Sequence, residues 1–184
     1  MLRVALLRVG EADGEVLEEV RRYLSESFPD TSAIILREAL PIIVDAYNPA
    51  RGQYHSSGIL AQIKARPPMG NVDRILGVTE ADLYVPGLNF VFGEALSHGG
   101  PAIISLFRLR PEFYGKLPDR VLYIERASKE AVHELGHTLG LGHCRDLSCV
   151  MFFSNSILDT DRKSRTFCGG CYIDVLEKVK RLMA

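Results

Sequence analysis

No run of eighteen apolar residues occurs in the 184-residue chain, so no membrane-spanning helix is expected. Neither sign of charge dominates. Lys and Arg number 22 and Asp and Glu 23, a net charge of −1, which argues against the basic footprint of a nucleic-acid binder. There is no internal repeat and no low-complexity segment. The first nine residues are broken by Arg3 and Arg8 and show no cleavage site, so they read as a strand and not as a secretory signal. The expected compartment is therefore the cytoplasm. Cysteine is missing from the first 143 residues, and all four cysteines fall in the last quarter of the chain. What is present is enough for a full core: 47% of the residues are hydrophobic, which suits one domain with a small appended unit.

The densest chemistry lies in the stretch Ala131-Val132-His133-Glu134-Leu135-Gly136-His137-Thr138-Leu139-Gly140-Leu141-Gly142-His143. On a helix, His133 and His137 are four residues apart and project from one face, one turn above the other. Two imidazoles so placed can both reach one tetrahedral Zn²⁺ at about 2.0–2.1 Å. Glu134 can reach a water at that metal without being a ligand. Gly140 stands where a helix ends in a left-handed cap, and the turn there brings His143 back as a third ligand. Three neutral imidazoles with an open fourth position describe a catalytic zinc site. The spacing matches the long form H-E-x-x-H-x-x-G-x-x-H, which predicts a zinc hydrolase.

Cys144 follows His143 directly, Cys149 lies five residues on, and Cys168 and Cys171 form a C-x-x-C. Two short-spaced pairs around a loop read as a structural Cys₄ zinc site. Two disulfides are the alternative, disfavoured by the missing secretory signal.

Together the long histidine motif, the cysteine fused to its end, Cys-x₄-Cys, the methionine soon after and the closing C-x-x-C resemble the archaemetzincins, a family in the metzincin clan of zinc metallopeptidases. The motifs span residues 133–171. The resemblance implies His133, His137 and His143 as catalytic zinc ligands, Glu134 as general base, and Cys144, Cys149, Cys168 and Cys171 as ligands of a second zinc. That makes two Zn²⁺ per chain. It also implies that Met151 forms the clan's Met-turn beneath the zinc. Some metzincins place a tyrosine ligand two residues after that methionine; here the position is Phe153.

The rest of the chain reads as follows. Residues 1–9 form a strand, residues 14–28 a helix stopped by Pro29, and residues 31–44 a β-rich stretch with strands at 33–36 and 42–44 on either side of Pro41. Strand–helix–strand order favours a parallel pair. Residues 48–52 are a loop, and residues 56–65 a short helix ended by Pro67 and Pro68. His55 just before it is a loop or capping histidine. Further strands are expected at 75–79, 89–95 and 102–107, the last two as an antiparallel hairpin turning at residues 96–101. His98 in that turn is exposed and has no catalytic role. The resemblance implies an antiparallel edge strand over the cleft, to which a peptide adds by main-chain hydrogen bonds, and residues 89–95 are the choice.

Pro118-Asp119 opens the motif helix, where Ile124, Ala127, Ala131 and Leu135 form the stripe packed on the sheet. His133 and His137 point away from that stripe, into a cleft. Residues 154–167 are polar and read as a surface loop held by the cysteines. Residues 174–183 form a final amphipathic helix. No carboxylate stands ready in the motif to orient His133 or His137, so backbone carbonyls are expected to do so.

The expected fold is therefore α+β with an α/β-like N-terminal part: a twisted mixed sheet with two or three helices, including the zinc-binding one, then a small zinc-stapled C-terminal subdomain. Residues 1–184 form a single catalytic domain, divided as 1–143 and 144–184. The expected activity is peptide-bond hydrolysis on peptides or unfolded protein by a monomer, without nucleic-acid or membrane partners. Two alternatives stay open: a zinc hydrolase of a non-peptide amide or ester, and a non-catalytic zinc-stapled peptide-binding module. An intact Glu134 argues against the module, since metal binding alone needs no carboxylate there.

Overall fold

The first strand, β1 (Leu2–Val9), is buried except at Arg3 and Arg8. Such a continuous apolar run suits a strand covered on both faces. It pairs in parallel with β2 (Thr31–Leu40) on one side and β5 (Arg74–Thr79) on the other. Next to β5 lies β8 (Ala102–Ser105), also parallel, and β7 (Gly93–Ala95) closes the sheet antiparallel to β8. The order is thus β2-β1-β5-β8-β7, beside a three-stranded sheet of β3 (Tyr47–Asn48), β4 (Gln53–His55) and β6 (Leu83–Tyr84). The computed structural model describes residues 1–67 and 70–183 of the chain.

Alternation along β1 divides the interior. Leu2, Val4 and Leu6 join a core with the helices α1 (Gly14–Ser27) and α3 (Arg120–Thr138). Leu7 and Val9 point the other way, onto Ile59, Leu60 and Ile63 of α2 (Ser56–Lys64). Each fully buried Leu or Ile in these layers contributes on the order of 1.5–3 kcal/mol. The mixed sheet and the parallel β1–β2 pair are as expected, and helices cover both faces of the sheet. Beyond α3 the chain adds α4 (Ile157–Arg162) and α5 (Gly169–Leu182), five helices among the described residues.

Four expectations need correction. Residues 42–44 form no strand, because Pro41 has no N–H to continue the ladder and Ile43 instead precedes a 3₁₀ turn, Val44–Ala46. The strand expected at 89–95 is cut to Gly93–Ala95. Val91 bridges to Leu83 of β6, and the Asn89 carbonyl accepts from Arg51 and Gln53, so the chain crosses between the two sheets there. The loop expected at 154–167 contains α4, started by a capping box in which Ser156 and Asp159 each bond the other's backbone N–H. Finally, α5 begins at Gly169, so the C-x-x-C lies at its N-terminus. The expected helix at 56–65 ends at Lys64; Pro68, expected to help end it, lies outside the described residues.

Candidate active site

The helix α3 starts at Asp119, whose side chain accepts from the Leu122 N–H, and runs to Thr138. Its end is a Schellman turn. The Leu141 N–H returns to the Gly136 carbonyl at 3.1 Å and the Gly140 N–H to that of His137 at 2.9 Å, with Gly140 at φ +85°. A residue with a side chain is strained in that conformation, whereas glycine adopts it readily. The turn brings His143 beside His133 and His137, with ring centroids 5.4 and 4.8 Å away. One ring nitrogen from each of the three lies within 4.8 Å of the others.

Two backbone carbonyls orient the helical pair. His133 Nδ1 is 2.9 Å from the Val150 oxygen and His137 Nδ1 is 2.7 Å from the Leu141 oxygen. A carbonyl only accepts, so both rings carry their proton on Nδ1 and leave Nε2 as a bare lone pair. The two Nε2 atoms nevertheless stand 3.1 Å apart. Facing lone pairs repel, and a shared cation reconciles them. Tetrahedral bonds of 2.0–2.1 Å place ligand nitrogens about 3.3–3.4 Å apart, so the pair fits zinc. Burial holds all three imidazoles below their ordinary pKa, which keeps them in the neutral, coordinating form.

Glu134 points into the same cleft, a cavity of about 550 Å³ that Glu94, Glu130, Phe92 and Phe153 also line. Burial first, and then the Glu130 carboxylate, push its carboxyl well above the usual range. A bound dication works against that shift. Met151 is fully buried beneath the site, packed so tightly on α3 that a Cβ at Gly136 would stand 2.6 Å from its sulfur. Its neighbour Val150 supplies the carbonyl that holds His133. Phe153 packs against His143, ring centroids 4.9 Å apart and tilted by 56°, and offers no ligand atom. On the far side β7 is the free antiparallel edge of the sheet, as an edge above the cleft requires, although shorter than expected.

The four cysteines also meet. All are free thiols, and their sulfurs lie within 4.8 Å of one another. Cys144 and Cys168 are 3.8 Å apart, the edge of a tetrahedron with bonds of about 2.3 Å to a central zinc. Cys168 caps the N-terminus of α5, where the Cys171 N–H lowers its thiol pKa, while burial raises those of Cys149 and Cys171. His55 and His98 stay apart from both clusters; His55 packs at a tilt against Tyr84 and His98 is exposed.

The charged residues around the histidines are what the sequence reading missed. Lys163, fully buried, lies 3.0 Å from Glu130, one helical turn before Glu134. Arg126, equally buried, makes two 2.7 Å bonds to Asp161. Lys129 pairs with Glu125 at 2.9 Å and donates to the Thr160 and Asp161 carbonyls. These contacts fasten α4 to α3, and Glu130 among them lines the cleft. The one sign in the sequence is the spacing of Arg126, Lys129, Glu130 and Glu134, which puts charge on a helix that has to be buried.

A family model for peptidase family M54 matches residues 1–180. An archaemetzincin of Methanocaldococcus jannaschii is 45% identical over 171 residues, 93% of this chain and 91% of that protein. Among solved structures, archaemetzincin from Methanopyrus kandleri superposes with a TM-score of 0.86 at 38% identity, covering 98% of this chain and 96% of that one. A zinc-dependent peptidase of Methanocorpusculum labreanum gives 0.83 at 30% identity, over 94% and 99% of the two chains. With the fold and the motif clusters in agreement, the chain belongs to peptidase family M54, the archaemetzincins, and is a zinc metallopeptidase.

Proposed function

We propose that His133, His137 and His143 hold the catalytic zinc, that Glu134 is the general base, and that Cys144, Cys149, Cys168 and Cys171 hold a second, structural zinc. The observation that carries this reading is the 3.1 Å approach of two Nε2 lone pairs whose tautomers are fixed by carbonyls. Zinc held there supplies Lewis acidity, which polarises a peptide carbonyl and makes water a nucleophile near neutral pH. Glu134, buried in the cleft beside the three histidines, takes the water's proton during attack and hands it to the departing amine. The peptide lies along β7, the edge strand of the sheet, and adds to it through main-chain hydrogen bonds. Residues 1–143 and 144–184 act as two parts of one catalytic domain, since Phe153, Ser154 and Asn155 of the second line the cleft beside the histidines of the first. Four free, converging thiols suit a reducing compartment and hence the cytoplasm.

The test compares wild type with Glu134→Ala on one peptide library at matched zinc content. The variant should keep its metal and fold while losing about 10²–10⁴-fold in rate. His137→Ala should lose the histidine-bound zinc and leave the cysteine-bound one in place. Equal cleavage by wild type and Glu134→Ala would overturn the assignment of the base.

A further inference from the structure

Away from the cleft, and sharing no lining residue with it, lies a second cavity of about 400 Å³ between the end of α2, the start of β5 and the turn joining β7 to β8. Lys64, Arg66, Arg74, Ser97, His98 and Gly99 line it. Arg74 is the unusual member. It is 9% exposed, and among the described residues the one hydrogen bond of its side chain runs from Nη1 to the Asp73 backbone oxygen at 2.6 Å. Its buried Nε has no partner. A guanidinium carries five N–H donors and a permanent charge, and burying it without acceptors is costly.

The neighbouring Asp73 carboxylate attracts it through space but, among the described residues, makes no bond to it. The Asp73 carboxylate is turned to Arg3, accepting that residue's N–H at 2.7 Å and lying 3.8 Å from its Nε. Arg66 is bonded to Glu38, and Lys64 has no carboxylate within 4.0 Å among the described residues. The Arg74 guanidinium lies flat against the turn, with Cζ, Nη1 and Nη2 each 3.8 Å from where a Cβ of Gly99 would be. Burial lowers its proton affinity, as expected of a cation short of acceptors.

We propose that this cavity binds a compact oxyanion of the phosphate type, free or carried on a small organic molecule, with Arg74 as the buried anchor and Lys64 and Arg66 at the rim. Guanidinium and phosphate match as a charge-assisted, two-point pair, which supplies the acceptors that Arg74 lacks. The turn is itself fixed to the motif helix, since the Gly99 N–H donates to the Thr138 carbonyl at 2.9 Å. An anion there would tie the end of α3, the hairpin turn and α2 together.

The experiment titrates inorganic phosphate and glycerol 3-phosphate into the zinc-loaded protein, against chloride at equal ionic strength. It reads melting temperature, affinity by calorimetry and amide exchange across residues 97–101. Binding should raise the melting temperature and slow exchange in the turn. Arg74→Gln should weaken binding about tenfold or more, the scale of a lost charge-assisted hydrogen bond. Lys64→Gln, at an exposed position, keeps the test open should Arg74→Gln fail to fold, and should weaken binding by a smaller factor. Tighter binding of glycerol 3-phosphate than of phosphate would assign the site to a carried phosphate, and the reverse to the free ion. No response beyond that to chloride overturns the proposal. So does equal binding by wild type and both variants, which would put the anion elsewhere, in the histidine cleft for example. Either failure leaves the peptidase assignment untouched, because none of these residues takes part in it.

Discussion

Gly93 of the edge strand lies directly over Glu134. A Cβ built at residue 93 would stand 2.5 Å from Glu134 Cγ and 2.7 Å from its Oε1. Glycine is needed here for space, not for backbone freedom. In Gly93→Ala either β7 lifts or the carboxylate swings aside, and both disturb the geometry between base and bound peptide. Misplacement by about 1 Å can cost on the order of 10² in rate. The variant should therefore keep its zinc and its melting temperature within a few degrees while its turnover falls by that order. Full activity would show that Glu134 has room to move, and would sink this account of Gly93.

The cysteine cluster and the ion pairs divide the work of holding the C-terminal segment. Cys168→Ser should release the 144–149 loop and the first turn of α5, and lower the melting temperature. Structural zinc in small cysteine sites carries roughly 10–16 kcal/mol of apparent binding energy. Yet α4 should stay ordered, because Arg126, Lys129 and Glu130 hold it from α3 independently of any metal. Amide exchange by residue distinguishes the two outcomes. Loss of protection throughout residues 144–171, α4 included, would make zinc the only fastener.

The contrast between those two fasteners shows what was legible in the sequence. The histidines and cysteines could be found because metal chemistry demands fixed residue types at short spacings, and the structure brings each set together. Local elements such as β1 and α1 were legible from their periodicity. The failures came where partners are distant in the chain. Lys163 and Asp161 fell in a stretch read as surface loop, yet their partners Glu130 and Arg126 lie 33 and 35 residues away, and burial follows from pairing. The strand at 89–95 was overdrawn for a similar reason. Its apolar run Phe90-Val91-Phe92 is real, but two different sheets share the segment.

The Lys163–Glu130 pair offers a direct measure of such a buried contact. Both side chains are at most 3% exposed, and Glu130 also accepts from Thr160 Oγ1 at 3.0 Å. Lys163→Met should leave a buried carboxylate without its cation, at a cost of about 3–5 kcal/mol. The double variant Lys163→Met with Glu130→Gln should recover a large part of that loss, since no net charge is then buried. Chemical denaturation of the four proteins gives the coupling energy. Additive losses in the double variant would mean that the pair contributes no interaction of its own.

Acid stability should depend on Asp13, which joins the start of α1 to the start of α3. The Arg120 guanidinium bonds both of its oxygens, at 2.6 and 2.7 Å, and the Val16 and Glu15 N–H groups add to this. Against the opposing effect of burial, Arg120 in particular holds the Asp13 carboxyl at about 2, below its ordinary 3.8. The folded state thus binds the proton more weakly than the unfolded chain does. The contribution is therefore complete above about pH 4 and lost as pH falls toward 2. In Asp13→Asn the amide oxygen still caps α1 while the charge is gone. At neutral pH the variant should be less stable by roughly 1 kcal/mol, a discounted figure because the Arg120 side chain is 40% exposed and solvent screens the pair. Between pH 4 and 2 the two stabilities should converge. Zinc release and the other carboxylates are common to both proteins, so the difference between their denaturation curves isolates Asp13. A gap that stayed constant down to pH 2, or no gap at neutral pH, would show that the Asp13–Arg120 contact does not stabilise the fold.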